Sequence, residues 1–294
     1  MINKLSLNIT EDEYRKLQCV SYSMLSSYKN DGVKGLIDFI NRKPFFSNSF
    51  VMGSLIDMMI TEPDKLEDNF TICDNPPSLK AQWIFKQMLK NEKELIDLIK
   101  EVDYCNSNWK DKTRIDKYIN EMCDFNFTQP SNFISQQQFD TANNAVQCLK
   151  NNPKFDFIFK KKEEVGIYFQ QKFITELNNV PCKCMTDIIS INYNRKIVQI
   201  FDLKTMSNPE YMFELNYLSY NYQIQAHLYR MIVKDVLSKD EYFKDFKVQP
   251  LRFIVVSLNE PQPTLCSYDI TTDERNRIND LIDKVWQAVK CISN

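Results

Sequence analysis

A chain of 294 residues, 43% of them hydrophobic and 26% charged, can bury a full core; it contains no apolar run long enough to cross a bilayer, and the mixed, polar opening from Met1 to Asp12 predicts no secretory leader. The net charge of −2 excludes a globally basic nucleic-acid binder, the four glycines exclude a glycine-rich phosphate loop, and the one histidine excludes a His-rich metal centre. The nine cysteines (Cys19, Cys73, Cys105, Cys123, Cys148, Cys182, Cys184, Cys266 and Cys291) form no C-x-x-C pair, so free thiols, a reducing cytoplasmic setting and no membrane partner are expected.

In chain order, Thr10-x-x-Glu13 is a capping box that predicts a helix from about Glu11. Ser21 to Asn30 predicts a short helix or turn, and Gly32, Gly35 and Pro44 bracket a third helix. Ser47 to Pro63 reads as an apolar helix with two irregularities, Gly53 and, four positions on along the same face, Asp57. An acid inside an apolar helix is costly unless paired or coordinated, so Asp57 either lies at the water-facing edge or binds something. Asp74 to Ser78 is a break. Beyond it, Leu79 to Phe125 predicts a charged helical insertion with Trp83 and Trp109 among lysines, rings that either pack on the domain or stack bases. Ser135-x-x-Gln138 caps another helix, which stops at Asn151-Asn152-Pro153.

Lys160-Lys161-Lys162 follows, either a solvated turn or, if close to a site, a hold on a phosphate backbone. Glu164 stands at the start of an alternating strand, Val165, Ile167, Phe169. Two apolar strands come next, Val180 to Ile191 with Asp187 and Ile197 to Thr205 with Asp202-Leu203-Lys204, joined by the turn residues Asn192-Tyr193-Asn194-Arg195. If the loop is Tyr193 to Lys196, then Asn192 faces Ile197 and Asp187 lies opposite Asp202. Opposed β-carbons are about 5 Å apart. Two ionised carboxylates there would repel by about 3 kcal/mol at a surface-like dielectric. A divalent cation turns that cost into a binding site. Oxygen ligands beside an ammonium suit Mg²⁺ and a phosphate, which makes the hairpin a candidate phosphodiesterase site; for a bare D-x-K the plainer reading is a solvated hairpin with a surface ion pair.

Pro209 opens a helix, and a second, from Asn221 to Leu237, carries Gln225 and Tyr229 on one face, with His227 pointing elsewhere as a packing residue. Leu251 to Leu258 and Thr264 to Ile270 read as strands. Thr271-x-x-Glu274 caps a last helix with the apolar stripe Ile278, Leu281, Ile282, Val285, Trp286 and Val289.

This order, a helix, a meander with Glu164, then Asp187, then Asp202-Leu203-Lys204, then a helix with Gln225-x-x-x-Tyr229, resembles the PD-(D/E)xK nuclease superfamily. Within it the chain is most similar to the phage exonucleases related to exonuclease VIII (RecE-type), with the RecB-type nuclease domain as a broader relative. The resemblance implies an α/β fold: a restriction-endonuclease-like central mixed sheet with an antiparallel meander, flanked by helices, behind a helical N-terminal region. It divides the chain into an N-terminal helical part of the nuclease domain, 1–78, a charged helical insertion, 79–130, and the nuclease core, 131–294. It also implies metal-dependent hydrolysis of DNA at double-stranded ends, in phage recombination or replication and hence in the host cytoplasm.

The implied roles follow position by position. Asp187, Asp202 and the Leu203 carbonyl would hold Mg²⁺, with Mn²⁺ as a substitute, and Lys204 would orient or help deprotonate the attacking water. Glu164 would complete the metal environment, and Gln225 and Tyr229 would face the substrate strand. Relatives carry a glycine followed four residues later by a metal-binding histidine; here Gly53 is followed by Asp57, an acid that can replace imidazole on a hard cation. The cysteine cluster that holds an iron–sulfur centre in some relatives is absent, so none is expected. DNA is the implied partner, with a single-strand annealing protein or recombinase and further copies of the chain as candidates. A single-strand-specific nuclease of the RecB-type class and a non-cleaving nuclease-fold DNA-end binder are the alternatives.

Overall fold

The computed structural model describes residues 2–41, 44, 46–90, 93–102, 111–122 and 131–293. Trp109 and Phe125, named above for the insertion, lie outside the described residues. In chain order the elements are α1 (Glu11–Lys16), α2 (Tyr22–Ile40), α3 (Asn48–Thr61), α4 (Leu66–Asn69), β1 (Phe70–Ile72), α5 (Leu79–Leu89), α6 (Leu95–Val102), α7 (Asp111–Met122), β2 (Asn132–Ile134) and α8 (Gln136–Lys150). They continue with α9 (Asp156–Phe159), β3 (Val165–Leu177), β4 (Val180–Asn192), β5 (Ile197–Met206), α10 (Phe213–Ser219), α11 (Tyr222–Ser238), β6 (Lys247–Val248), β7 (Arg252–Ser257), β8 (Thr264–Cys266) and α12 (Thr272–Ser293). They form two compact units, Met1–Arg42 with Gln147–Asn294, and Lys43–Val146.

The first unit is built on a mixed sheet of order β3-β4-β5-β7-β8, with β6 also paired to β5. The β3-β4-β5 part is an antiparallel meander. Its first turn is Asn178-Asn179 with both residues at positive φ (51° and 64°), the two-residue geometry that matches strand twist, and it sets Leu177 against Val180. From β5 the chain crosses through α10 and α11 to β7, which lies parallel to β5 with Asp202 beside Phe253. That crossover lays α11 on β3 and β4. The core on this face includes Phe173, Cys182, Cys184, Ile189, Ile191, Val198 and Ile200 from the sheet, and Ile224, Leu228 and Ile232 from α11. On the other face Phe157 of α9 stacks on Phe201, ring centroids 4.6 Å apart.

The expected capping boxes form at Thr10 with Glu13, Ser135 with Gln138, and Thr271 with Glu274. The two short helices expected on either side of Gly32 are one, α2, kinked where Gly32 takes a left-handed φ of 61° and lets the helix turn without ending. The last strand stops at Cys266, short of the expected Ile270.

The second unit has its own core of Ala81, Ile84, Leu98, Ile99, Val102 and Tyr118. The three-residue strands β1 and β2 pair in parallel within it, Phe70 with Asn132. Buried Gln82 acts on β2 as a strand would: its Nε2 donates to the Phe133 carbonyl (3.0 Å) and its Oε1 accepts from the Phe133 amide (2.9 Å). Helix α3 buries Met52, Leu55, Ile56, Met59 and Ile60, while Gly53 and Asp57 are half-buried. Among the described residues no helix is long and apolar enough to cross a membrane.

Candidate active site

The β4–β5 ladder runs from Asn192 against Ile197 to Ile188 against Phe201, so the next positions, Asp187 and Asp202, oppose each other as the turn residues predict. The ladder bonds give way there. Asp187 Oδ2 instead accepts from the backbone N–H of Leu203 at 2.7 Å. Cys182 and Cys184 face the same core as Ile189 and Ile191, which strict alternation along β4 forbids, so the facing slips by one residue close to Asp187. Gln170, level with Asp187 on β3, has a φ of 49°, and the two strands change facing together. Such an irregularity re-aims a side chain without breaking the sheet.

Asp202 is only 3% exposed. Its Oδ1 accepts from Gln225 Nε2 of α11 at 2.6 Å, and its Oδ2 pairs with Lys204 Nζ at 2.5 Å. Asp202 and Lys204, two apart on β5, share a face, and the parallel crossover brings Gln225 down onto them. The Lys204 ammonium also lies 4.6 Å from the centre of the Tyr222 ring and 5.9 Å from that of Phe253. Burial alone would lower the Lys204 pKa; Asp202, Tyr222 and Asp187 outweigh it and hold the amine above the ordinary lysine range. Lys204 and Asp202 thus stand as a close ion pair, with the ammonium set against the carboxylate on one side and the ring faces on the other. Tyr229, one turn beyond Gln225, has its phenol pushed well up by burial first and then by neighbours that include Asp202 and Asp187, so it is a neutral donor. His227 lies beside Asn279 of α12, and burial lowers its pKa.

Glu164 does not join this group. It is exposed, immediately ahead of β3, and its carbonyl accepts from the Tyr193 amide at 3.0 Å, which puts it at the hairpin turn. The β3–β4 register carries it away from Gln170 and Asp187 by six residues of strand, about 20 Å. The placement of Glu164 in the metal environment is thus corrected. The reason lies in the Asn178-Asn179 turn, which pairs the start of β3 with the end of β4 and not with its middle. Lys160, Lys161 and Lys162 share that remote end, with Lys160 paired to Asp156 at 2.8 Å, so the phosphate-holding reading of the triplet loses its premise.

The structure brings together Asp187, Asp202, Leu203, Lys204, Gln225 and Tyr229 within the first unit. Asp57 belongs to the second. Among the described residues no three His, Cys, Asp or Glu side chains cluster as a metal cage would. The donors present are two opposed carboxylates and the Leu203 carbonyl, all oxygen. That set fits a hard cation that keeps several waters and takes one or two carboxylates from the protein, and does not fit structural zinc. Sequence reading missed the aromatic wall behind Lys204, formed by Tyr222, Phe213 and Phe253, because rings contributed by α10, α11 and β7 have no common spacing.

Residues 41–293 match the family described as the PDDEXK-like domain of unknown function (DUF3799). Among solved structures, a candidate exonuclease of Eubacterium rectale aligns at 12% identity over 96% of this chain and 86% of that one, with a TM-score of 0.48. A Vibrio cholerae protein aligns at 12% identity over 85% of this chain and 57% of its own, with a TM-score of 0.20. No curated protein matches the chain.

Proposed function

The chain belongs to the family of PDDEXK-like domains, a nuclease fold that generally works on DNA with divalent metals, and from that premise we propose that it is a Mg²⁺-dependent deoxyribonuclease acting on phosphodiester bonds at the ends of double-stranded DNA. The observation that carries the reading is the buried Asp202–Lys204 pair with Asp187 opposite it across the hairpin. Burying an ion pair costs more than a well-packed apolar pair would, so its retention calls for a use. That use also separates this reading from a non-cleaving DNA-end binder, which needs neither the opposed acids nor the amine.

Asp187, Asp202 and the Leu203 carbonyl would hold Mg²⁺, or Mn²⁺ in its place. The bound cation would supply polarisation of the scissile phosphate and a lowered pKa for its water. Gln225 fixes the Asp202 carboxylate by occupying Oδ1, and so sets how that group can ligate. The Lys204 ammonium orients the water and offsets negative charge as it builds on the phosphoryl oxygens. Tyr229 donates toward the substrate strand. Action at ends, and a role in phage recombination or replication beside a single-strand annealing protein or recombinase, rest on the resemblance to the exonuclease VIII group.

The test is turnover on a blunt linear duplex, the same sequence as a closed circle, and oligo-dT, each with Mg²⁺, Mn²⁺, Ca²⁺ or chelator. Degradation of the linear duplex in Mg²⁺ and Mn²⁺, with the circle spared, is the expected result. Cutting of the circle at the same rate would make the enzyme an endonuclease. Preference for oligo-dT would favour the single-strand class, and no cutting in any metal would leave only end binding.

A further inference from the structure

Lys204 lies at the inner end of a column of rings. Its ammonium sits on the face of Tyr222, and Tyr222 stacks on Phe213 at 5.7 Å and 20° and packs on Phe253 at 5.6 Å. On its outer side Tyr222 meets Tyr220, ring centroids 5.6 Å apart and planes 35° apart. There the column ends in solvent: Tyr220 is 56% exposed, although its backbone is fixed, its carbonyl accepting from the Tyr22 hydroxyl. Beside it, Tyr211, Leu215 and Leu218 form an exposed stripe along α10 and the turn before it. Between Lys204 and Arg230 the sequence has no lysine or arginine. Apart from the Glu214 carboxylate, exposed on the same helix, the large side chains of this surface offer rings and aliphatic carbon, which match the faces of bases and not phosphates.

We propose that Tyr220 is a stacking platform for a nucleobase adjoining the scissile phosphate, so that the substrate strand is held at the site with one base unstacked from its neighbours and laid on the open end of the Tyr220–Tyr222 column. The proposal rests on the nuclease reading above and adds to it the form of the substrate: a strand whose terminal or flanking base can leave its stack. Every base presents a ring face, so this contact is tolerant of sequence. It favours frayed ends and single strands over closed, fully stacked duplex. Tyr220 is here a positioning residue, acting on the strand beside the reacting phosphate.

The experiment measures binding of a fluorescein-labelled oligonucleotide to Asp202→Asn, intact and with an abasic nucleotide at each position in turn. Stacking on one ring makes the intact strand bind roughly tenfold tighter than the strand abasic at the responsible position. Adding Tyr220→Ala should erase that ratio, and Tyr220→Phe, which keeps the ring, should preserve it. A ratio unchanged by Tyr220→Ala overturns the proposal. Wild-type and Tyr220→Ala turnover on linear duplex in Mg²⁺ is measured alongside. Cleavage by the wild type together with an unchanged ratio removes the stacking proposal and leaves the nuclease reading standing, whereas neither cleavage nor binding removes both. Self-association that Leu215→Glu abolishes, with the abasic ratio still untouched by Tyr220→Ala, gives the surface to a second copy and likewise overturns the proposal.

Discussion

Each unit holds a half-buried lysine on which burial acts, and the two, Lys86 and Lys204, differ in charge behaviour. Lys86, on α5 in the helical unit, donates to the Asn132 side chain at 2.6 Å, and among the described residues no carboxylate offsets its burial. Burial, helped by Lys90, pushes its pKa down to about 8. Lys204 in the sheet unit is 19% exposed at its side chain, and burial works on it in the same direction, yet Asp202, Tyr222 and Asp187 raise it above its ordinary value. Burial sets the cost of the charge, and the partner decides whether the charge persists. At Lys86 the result is a polar contact that slightly weakens its own lysine. At Lys204 it is an ion pair in which the neighbouring acids favour the charged amine.

The sharpest way to break this contrast is to neutralise the counter-ion. Asp202→Asn should lower turnover on linear duplex by about a thousandfold or more, while duplex binding, carried by backbone contacts elsewhere, stays within about twofold by anisotropy. Lys204→Met should also abolish cleavage. It strands Asp202 in the interior with Gln225 as its remaining partner, so a loss of about 3–5 kcal/mol in denaturant unfolding should accompany it. Gln225→Leu should leave the chain folded and raise the Mg²⁺ concentration for half-maximal activity by about 10- to 100-fold, because it frees the Asp202 carboxylate to turn.

Lys86→Met tests the other lysine through pH. Below about 8 both folded and unfolded chains carry the Lys86 proton and the cost of burying it is constant. Between about 8 and the ordinary value of 10.5 the unfolded chain binds more protons than the folded one, so wild-type stability gains with rising pH. The variant should melt higher than wild type at pH 7, and the difference should shrink as pH rises through that window. Smallest of all is Glu164→Gln. Exposed at the hairpin end, it should change stability by less than about 0.5 kcal/mol and leave turnover unaltered. A hundredfold loss of activity would return Glu164 to the site.

Much of the site was legible because strand period and turn chemistry are short-range. Asn192 to Lys196 fixes one register, and that register alone opposes Asp187 and Asp202. Helix α11, with Gln225 and Tyr229 on one face, was equally readable from its period. Glu164 was misplaced because its position depends on a different turn, Asn178-Asn179, more than a dozen residues downstream, and no feature near Glu164 encodes that pairing. The slip in facing beside Asp187 is a tertiary compromise between two strands and has no marker in either. The β1–β2 pair escaped notice since three residues are too few to show a period, and parallel partners separated by about sixty residues share no local signal.

Lys183 carries a consequence for the order in which the chain folds. Its buried ammonium donates to the carbonyls of Tyr14 (2.9 Å), Arg15 (3.1 Å) and Leu17 (2.8 Å), and Val20 bridges to Cys182 beside it. These contacts close the terminus of α1 with a group that lies more than 160 residues later in the chain. During synthesis the stretch around α1 emerges early, yet its last carbonyls find their donor only after β4 has followed. At about 5–20 residues per second that is a wait of roughly ten seconds or more. The docking of α1 therefore belongs to the late, slow part of folding, when long loops close, and an early-made segment is held in reserve until the sheet is complete.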